Sequence, residues 1–265
     1  MDVSSLPPLR TDPIIRSRNL LGVGSMGFVF KSGDDRVLKR PATYAEKGNF
    51  EMAYINDLSI EALADEAHIY RRLGQHVGII QYFGIAEHTI ELAFANQGDL
   101  WKYMEQNPRP TDKVVVEWIR CLADAFAYVH SHRVVVDDID LRNILIHNNR
   151  PKLSDFNQSF LLPLDTDMEH FSIYDINAHI EILHLGCLFY SISTWSKFKY
   201  DYFDDNRFPN LDELPDTDGI ISGMIIRKCW TRGYANMELL RKDVEGSLPD
   251  ELRARFRNSA RLWYV

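Results

Sequence analysis

The chain has 265 residues, of which 45% are hydrophobic and 26% charged, so it can form a sizeable apolar core. Its formal net charge of -8 argues against nucleic acid or an anionic membrane surface as the main partner. No apolar run is long enough to span a bilayer, and the N-terminus has no signal-peptide pattern. Cys121, Cys187 and Cys229 lack metal-ligand spacing, which predicts free thiols in an intracellular protein, cytoplasmic or nuclear.

A glycine-spaced turn follows a predicted flexible arm at residues 1–16. Gly22, Gly24 and Gly27 form a G-x-G-x-x-G pattern, in which glycine lets backbone N–H groups approach phosphate oxygens closely. A dinucleotide-binding fingerprint would open a helix here, whereas residues 28–30 predict a strand. Taken alone, the pattern is equally compatible with a glycine-rich hairpin that binds no ligand.

A lysine and a glutamate form a candidate ion pair. Lys39 ends a predicted strand, and residues 40–58 are predicted to be a loop. Residues 59–73 have helical spacing, with Ser59 as the predicted N-cap and Glu66 on the apolar face. A buried carboxylate needs a partner, and Lys39 is the natural one, although Glu66 at an exposed helix edge is the alternative.

The middle of the chain changes from strand-rich to helix-rich sequence. Strands are predicted at residues 79–84 and 90–95, a turn at 96–100, and a helix after Thr111. His130 and His132 follow this helix, and a structural role is favoured over metal binding because no third ligand is in view.

The central stretch comes next. Residues 134–136 and 144–146 predict two strands around a polar loop that contains Asp138 and Asn143, and an acidic turn begins at Asp155. Further helices are predicted at 181–194, 220–230 and 237–244.

In this order the segments resemble a eukaryotic-type protein kinase domain over about residues 17–250. Asp138 and Asn143 have the spacing of the catalytic-loop pattern H-R-D-L-x-x-x-N, and Asp155-Phe156-Asn157 stands where kinases have D-F-G. The resemblance implies an α+β, two-lobed fold with a small β-rich N-lobe at 17–95 and a larger, mainly helical C-lobe at 96–265. ATP and Mg²⁺ would bind in the cleft between them.

The resemblance also implies the role of each site residue. Asp138 would orient the attacking hydroxyl, Lys39 would hold the α- and β-phosphates, and Glu66 would lock Lys39 in place. Asn143 and Asp155 would hold magnesium. Ala93 and Ala95 would offer hinge amides to adenine. The full ATP-binding set would be Leu21, Gly22, Gly24, Gly27, Val29, Val37, Lys39, Leu92, Ala93, Ala95 and Leu145.

The catalytic loop departs from the family pattern at several positions. Val136 and Asp137 replace His and Arg, and the second change removes the Arg that docks a phosphorylated activation segment in many kinases. Asp140 stands where Ser/Thr kinases carry a Lys, so we expect it to repel the γ-phosphate, while Arg142 could restore positive charge. Asn157 replaces Gly, which we expect to be tolerated because Asn reaches left-handed backbone angles.

The segment after Asp155 contains no A-P-E. Glu169 lies at a suitable distance before Glu181, but its usual Arg partner falls at Met237, which predicts a short and poorly anchored segment. Three hypotheses follow: an active protein kinase, Ser/Thr before Tyr; a pseudokinase that binds nucleotide or acts as a scaffold; and a small-molecule kinase. The sequence names no protein substrate or partner.

Overall fold

The computed structural model describes residues 19–24, 26–46, 50–86 and 88–247, so the arm predicted at residues 1–16 lies outside the described residues. The predicted α+β, two-lobed class is confirmed: an antiparallel sheet and one long helix precede a mainly helical part. Within the described ranges, no helix is both long and apolar enough to cross a bilayer. The division between lobes near residues 95–96 stays a prediction.

Five antiparallel strands in the order β1-β2-β3-β5-β4 form the N-terminal sheet. Their bounds are β1 (Leu20–Val23), β2 (Gly27–Ser32), β3 (Arg36–Pro41), β4 (Tyr82–Ala86) and β5 (Thr89–Ala93). The central strand β3 carries Lys39, which lies opposite Val29 of β2 and Ile90 of β5. β4 begins later than predicted because Ile79 and Ile80 pair with Leu153 instead.

The helix α1 (Phe50–Leu73) is longer than predicted and begins nine residues before Ser59. Ser59 is fully buried inside the helix, so its assignment as the N-cap was wrong. Asn56 explains the error, because its buried amide accepts from Tyr44 N (2.7 Å) and donates to Tyr44 O (2.9 Å). A polar residue on the inward face hides the apolar period of residues 50–58.

Within the described residues, six α-helices follow β5. They are α2 (Leu100–Gln106), α3 (Asp112–Ser131), α4 (Ala178–Thr194), α5 (Tyr202–Asp205), α6 (Gly223–Trp230) and α7 (Met237–Gly246). α3 packs on α7, and the almost wholly buried α4 packs on α6. Thr111 takes the predicted cap position of α3, but its side chain makes no capping bond. The sequence missed the short α2, whose first turn is capped by Asp99 (2.8 Å to Lys102 N).

Two small two-stranded sheets contain the central stretch and confirm its predicted strands. β6 (Val134–Val136) pairs with β9 (Ser159–Leu161), and β7 (Ile144–His147) pairs with β8 (Arg150–Leu153). One apolar cluster runs from the sheet into the helices. A second, smaller cluster lies under the segment after β9 and consists of Val135, Leu162, Phe171, Ile176 and Ala178.

We expect Asn56→Ala to lower the free energy of unfolding by about 1–3 kcal/mol, because it removes the two hydrogen bonds that the Asn56 amide makes with the N–H and C=O of Tyr44. Urea denaturation measures the change. Asp57→Ala is the matched control, since Asp57 is the next residue of the helix and is exposed. Equal stabilities of the two variants would contradict this role of Asn56.

Candidate active site

A buried lysine joins three separate elements. Lys39 Nζ on β3 lies 2.6 Å from Glu66 Oε2 on α1 and 2.8 Å from Asp155 Oδ1 in the turn before β9. Lys39 is 6% exposed and Glu66 is 0% exposed, so neither charge is hydrated. Burial by itself would lower the pKa of Lys39, but the two carboxylates outweigh it and raise that pKa. Lys39 is therefore a fixed cation at neutral pH.

The same carboxylate of Glu66 also fixes the turn at Asp155. Glu66 Oε1 accepts the N–H of Phe156 (3.3 Å), and the buried Phe156 ring contacts Tyr70 edge-on, with 5.1 Å between ring centroids. Asp155 is the residue that takes a left-handed conformation (φ 59°). Asn157 does not take a positive φ, so the left-handed angles that asparagine can reach are not needed at this position.

The loop after β6 brings Asp138 and Asn143 together. Asn143 Nδ2 donates to the backbone oxygen of Asp138 (3.0 Å) and to its Oδ2 (2.8 Å). Ser154 N donates to Asn143 O (3.0 Å), which places Asn143 beside the residue that precedes Asp155. The structure therefore brings together four residues that the sequence analysis singled out: Lys39, Asp138, Asn143 and Asp155.

Asp140 does not act as a free negative charge in this loop. Its Oδ1 and Oδ2 accept from Arg142 Nε (2.9 Å) and Nη2 (3.0 Å), and Oδ1 also accepts Arg142 N (2.9 Å). Asp140 is buried and caps the short 3₁₀ turn Leu141–Asn143. The expectation that it repels a phosphate therefore needs correction, because Arg142 neutralises it at contact distance.

Glu181 at the start of α4 ties down the strand that leads into the loop. Its Oε1 accepts the N–H of Val136 (2.8 Å), and its Oε2 accepts from His130 Nε2 (2.8 Å). All three residues are buried. The structural role favoured for His130 is therefore correct, but its partner was missed. A carboxylate in an otherwise apolar helix was the available signal, because it requires a partner.

The apolar residues that the sequence assigns to the nucleotide site differ in their exposure. Val37, Leu92, Ala93 and Ala95 are buried, Val29 and Leu145 are half-buried, and Leu21 is exposed. The Ala93 N–H donates to Gln81 O (2.9 Å), so the predicted hinge amide of Ala93 is already used within the sheet. Among the described residues, the Ala95 amide donates to no other group.

The glycine-spaced turn links β1 and β2. Gly24 N donates to Gly27 O (2.8 Å), which closes the turn. A Cβ on Gly27 would lie 3.1 Å from Arg40 O and 3.4 Å from Lys39 Cε, a close approach that favours glycine. Gly22 has room for a side chain here, since its added Cβ would meet only Val29 Cβ at 3.9 Å.

The segment between Asp155 and α4 is well anchored, contrary to the expectation from its sequence. β9 pairs with β6, and Leu162 and Phe171 are buried in the second apolar cluster. Glu169 Oε2 accepts from Asn236 Nδ2 (3.1 Å), the residue directly before Met237, where the family's Arg partner was missing. The anchoring contacts come from distant parts of the chain, which the sequence could not reveal.

Two oxygen ligands are available for a magnesium ion. Asn143 Nδ2 donates to Asp138, so Asn143 Oδ1 is available as a ligand. Asp155 Oδ1 accepts from Lys39, so Asp155 Oδ2 is available as the other ligand. No group of three His, Cys, Asp or Glu side chains within the described ranges could hold a metal by itself. Two protein ligands suit magnesium, which usually completes its shell with water and phosphate oxygens.

The fold and this arrangement are those of a protein kinase. The family model for the protein kinase domain matches residues 15–175, more than half of the chain, and the chain belongs to this family.

Curated kinases match the chain at low identity. A Xenopus laevis mitogen-activated protein kinase kinase kinase 13-B is 28% identical over 123 residues, 44% of this chain and 13% of that protein. Human NUAK family SNF1-like kinase 1 is 26% identical over 163 residues, 53% of this chain and 24% of that protein. An Aurora kinase of Yarrowia lipolytica is 26% identical over 150 residues, 54% and 39% respectively. The aligned part therefore spans less than two thirds of each relative's length.

Asp137 is a carboxylate of the loop with a raised pKa. Burial and the charges of Asp138, Asp201 and Glu181 raise its pKa to about 6, while Lys199 opposes this rise. Because the folded state binds the proton more tightly than the unfolded chain, this group lowers stability as pH rises from about 4 to about 6. Asp137→Asn should therefore stabilise the protein at neutral pH by about 1 kcal/mol after allowance for solvent screening.

Thermal unfolding of Asp137→Asn tests this. The expected gain in Tm is about 2–4 °C near pH 7.5, and it should vanish near pH 4, where the native carboxyl is already protonated. Asp34→Asn, in the exposed turn between β2 and β3, is the control. A gain that is independent of pH, or equal in the control, would contradict the assignment.

Proposed function

We propose that the chain is an active ATP-dependent protein kinase that transfers the γ-phosphate of Mg·ATP to a protein hydroxyl. The observation that carries this is the contact of Lys39 with both Glu66 and Asp155, together with the Asn143–Asp138 hydrogen bonds. These side chains are of the types that the charged and metal-holding roles in phosphoryl transfer would require, which supports the proposal. A Ser or Thr hydroxyl is proposed before that of Tyr as the acceptor.

Lys39 would serve the nucleotide phosphates. An ammonium has three N–H donors, of which Asp155 accepts one while Glu66 pairs with its charge, so donor capacity is left for the α- and β-phosphates. Adenine would lie between Val29, Val37 and Leu145, with the Ala95 amide as its hydrogen-bond donor. Asn143 Oδ1 and Asp155 Oδ2 would hold Mg²⁺, which neutralises charge on the transferring phosphate.

Asp138 would orient the attacking hydroxyl and accept its proton. Asn143 holds Oδ2, which leaves Oδ1 as the acceptor for the substrate. Arg142 adds positive charge beside this carboxylate, and two thirds of its side chain are exposed (66%). It can therefore approach a phosphate as well as neutralise Asp140.

A pseudokinase is the second candidate, and it is favoured by the repulsion between the carboxylates of Asp137 and Asp138. In that case the pocket would bind nucleotide without transfer. The small-molecule kinase was suggested by the short segment after Asp155, and it stays a hypothesis.

Asp138→Asn should lower phosphotransfer by roughly 100-fold or more, because general-base assistance is lost while the fold remains. The measurement uses labelled ATP, Mg²⁺ and generic Ser, Thr and Tyr peptides. Lys113→Ala, an exposed change on α3, should leave the rate unchanged. Wild-type transfer no greater than that of Asp138→Asn would overturn the enzyme assignment.

Lys39→Met should weaken Mg·ATP binding by roughly tenfold or more, since a buried cation for the phosphates is replaced by an apolar chain of similar length. Isothermal titration calorimetry measures the affinity, and circular dichroism checks that the variant folds. Tight binding by the wild type without transfer would favour the pseudokinase. Equal affinity of both proteins would exclude Lys39 as a phosphate ligand.

A further inference from the structure

Leu162 is the fixed point of the segment after β9. Its N–H donates to Arg133 O (2.9 Å), its C=O accepts from Arg72 Nη1 (2.6 Å), and its side chain is buried in the second apolar cluster. Both backbone groups and the side chain of this one residue are thus held at once. Arg72 provides the only one of these three contacts that comes from α1.

Arg72 completes a second link between the same two elements that Glu66 joins. Glu66 accepts from Phe156, and Arg72 donates to Leu162. The two residues of α1 are six positions apart, and so are their two partners on the segment. β9 lies between these two points and packs against α1. Displacement of the segment at Leu162 would therefore pull on the turn that holds Asp155.

A carboxylate, and not a cation, directly precedes Asp138. The preceding residue is Asp137, whose carboxylate would repel a phosphate. The ordered arrangement of the segment is instead built from a neutral carbonyl and a guanidinium, with apolar burial beside them.

We propose that Arg72 is a positioning residue that holds the segment after Asp155 in its ordered arrangement without phosphorylation of that segment. Its effect on the rate rests on the proposed function. Its effect on the order of the segment does not, which allows the two proposals to fail separately.

Hydrogen–deuterium exchange tests the structural part. In Arg72→Ala, the amides of residues 160–162 should exchange roughly tenfold faster or more, because a hydrogen bond to a charged group is lost, while α4 should be unchanged. Arg72→Lys should restore most of the protection. Arg71→Ala is the matched control, since Arg71 is the exposed neighbour on the same helix. Unchanged exchange in Arg72→Ala would overturn the proposal.

Kinetics test the functional part. Arg72→Ala should lower kcat roughly tenfold with little change in the affinity for Mg·ATP, and Arg72→Lys should recover most of it. If the wild type transfers no phosphate, the proposed function fails and the exchange experiment alone decides the role of Arg72. A full kcat in a folded Arg72→Ala protein would overturn the positioning role.

The phosphorylation arm uses one combined variant. Its changes are Ser159→Ala, Thr166→Ala, Ser172→Ala and Tyr174→Phe, which remove the hydroxyls of the segment. This variant and the phosphatase-treated wild type should keep the protection at residues 160–162 and a rate within about twofold. Loss of protection on phosphatase treatment would show that phosphate orders the segment and would overturn the proposal.

Discussion

The contact between Lys39 and its two carboxylates constrains the whole N-terminal half. A buried lysine requires compensation, and Glu66 and Asp155 come from a helix and a turn that are far apart in sequence. Loss of one partner from such a pair costs about 3–5 kcal/mol, because the remaining charge stays buried. β3, α1 and the turn before β9 must therefore dock together in one arrangement. The proposed nucleotide site would lie beside that contact.

Charge in the catalytic loop follows a related rule. The loop contains three aspartates, and two of them have a partner within five residues: Asn143 for Asp138 and Arg142 for Asp140. Asp137 has no such neighbour and takes the raised pKa. An acidic loop can lie beside a phosphate when each carboxylate either accepts hydrogen bonds from a neighbouring side chain or takes part in the reaction. Net charge counted along the sequence says little about the charge that a substrate meets.

The sequence predicted the elements and residues whose signals are local. Helices with clear apolar spacing, the strand that carries Lys39 and the spacing of Asp138 and Asn143 could all be found in this way. The errors involve partners that are distant in the chain or backbone details. Tyr44 makes Asn56 an inward-facing residue, and Gln81 uses the Ala93 amide. Periodicity contains no information about either contact.

The missing A-P-E shows how a motif can be absent while its physical task is still performed. An exposed Glu–Arg pair contributes only about 0–1 kcal/mol, so the hydrogen bond between Glu169 and Asn236 can replace it at small cost. Burial of a single large apolar side chain contributes about 1.5–3 kcal/mol, and the segment buries both Leu162 and Phe171. Apolar packing and the ladder between β6 and β9 therefore anchor the segment more strongly than the absent ion pair would. The segment can diverge in sequence as long as this small cluster remains filled.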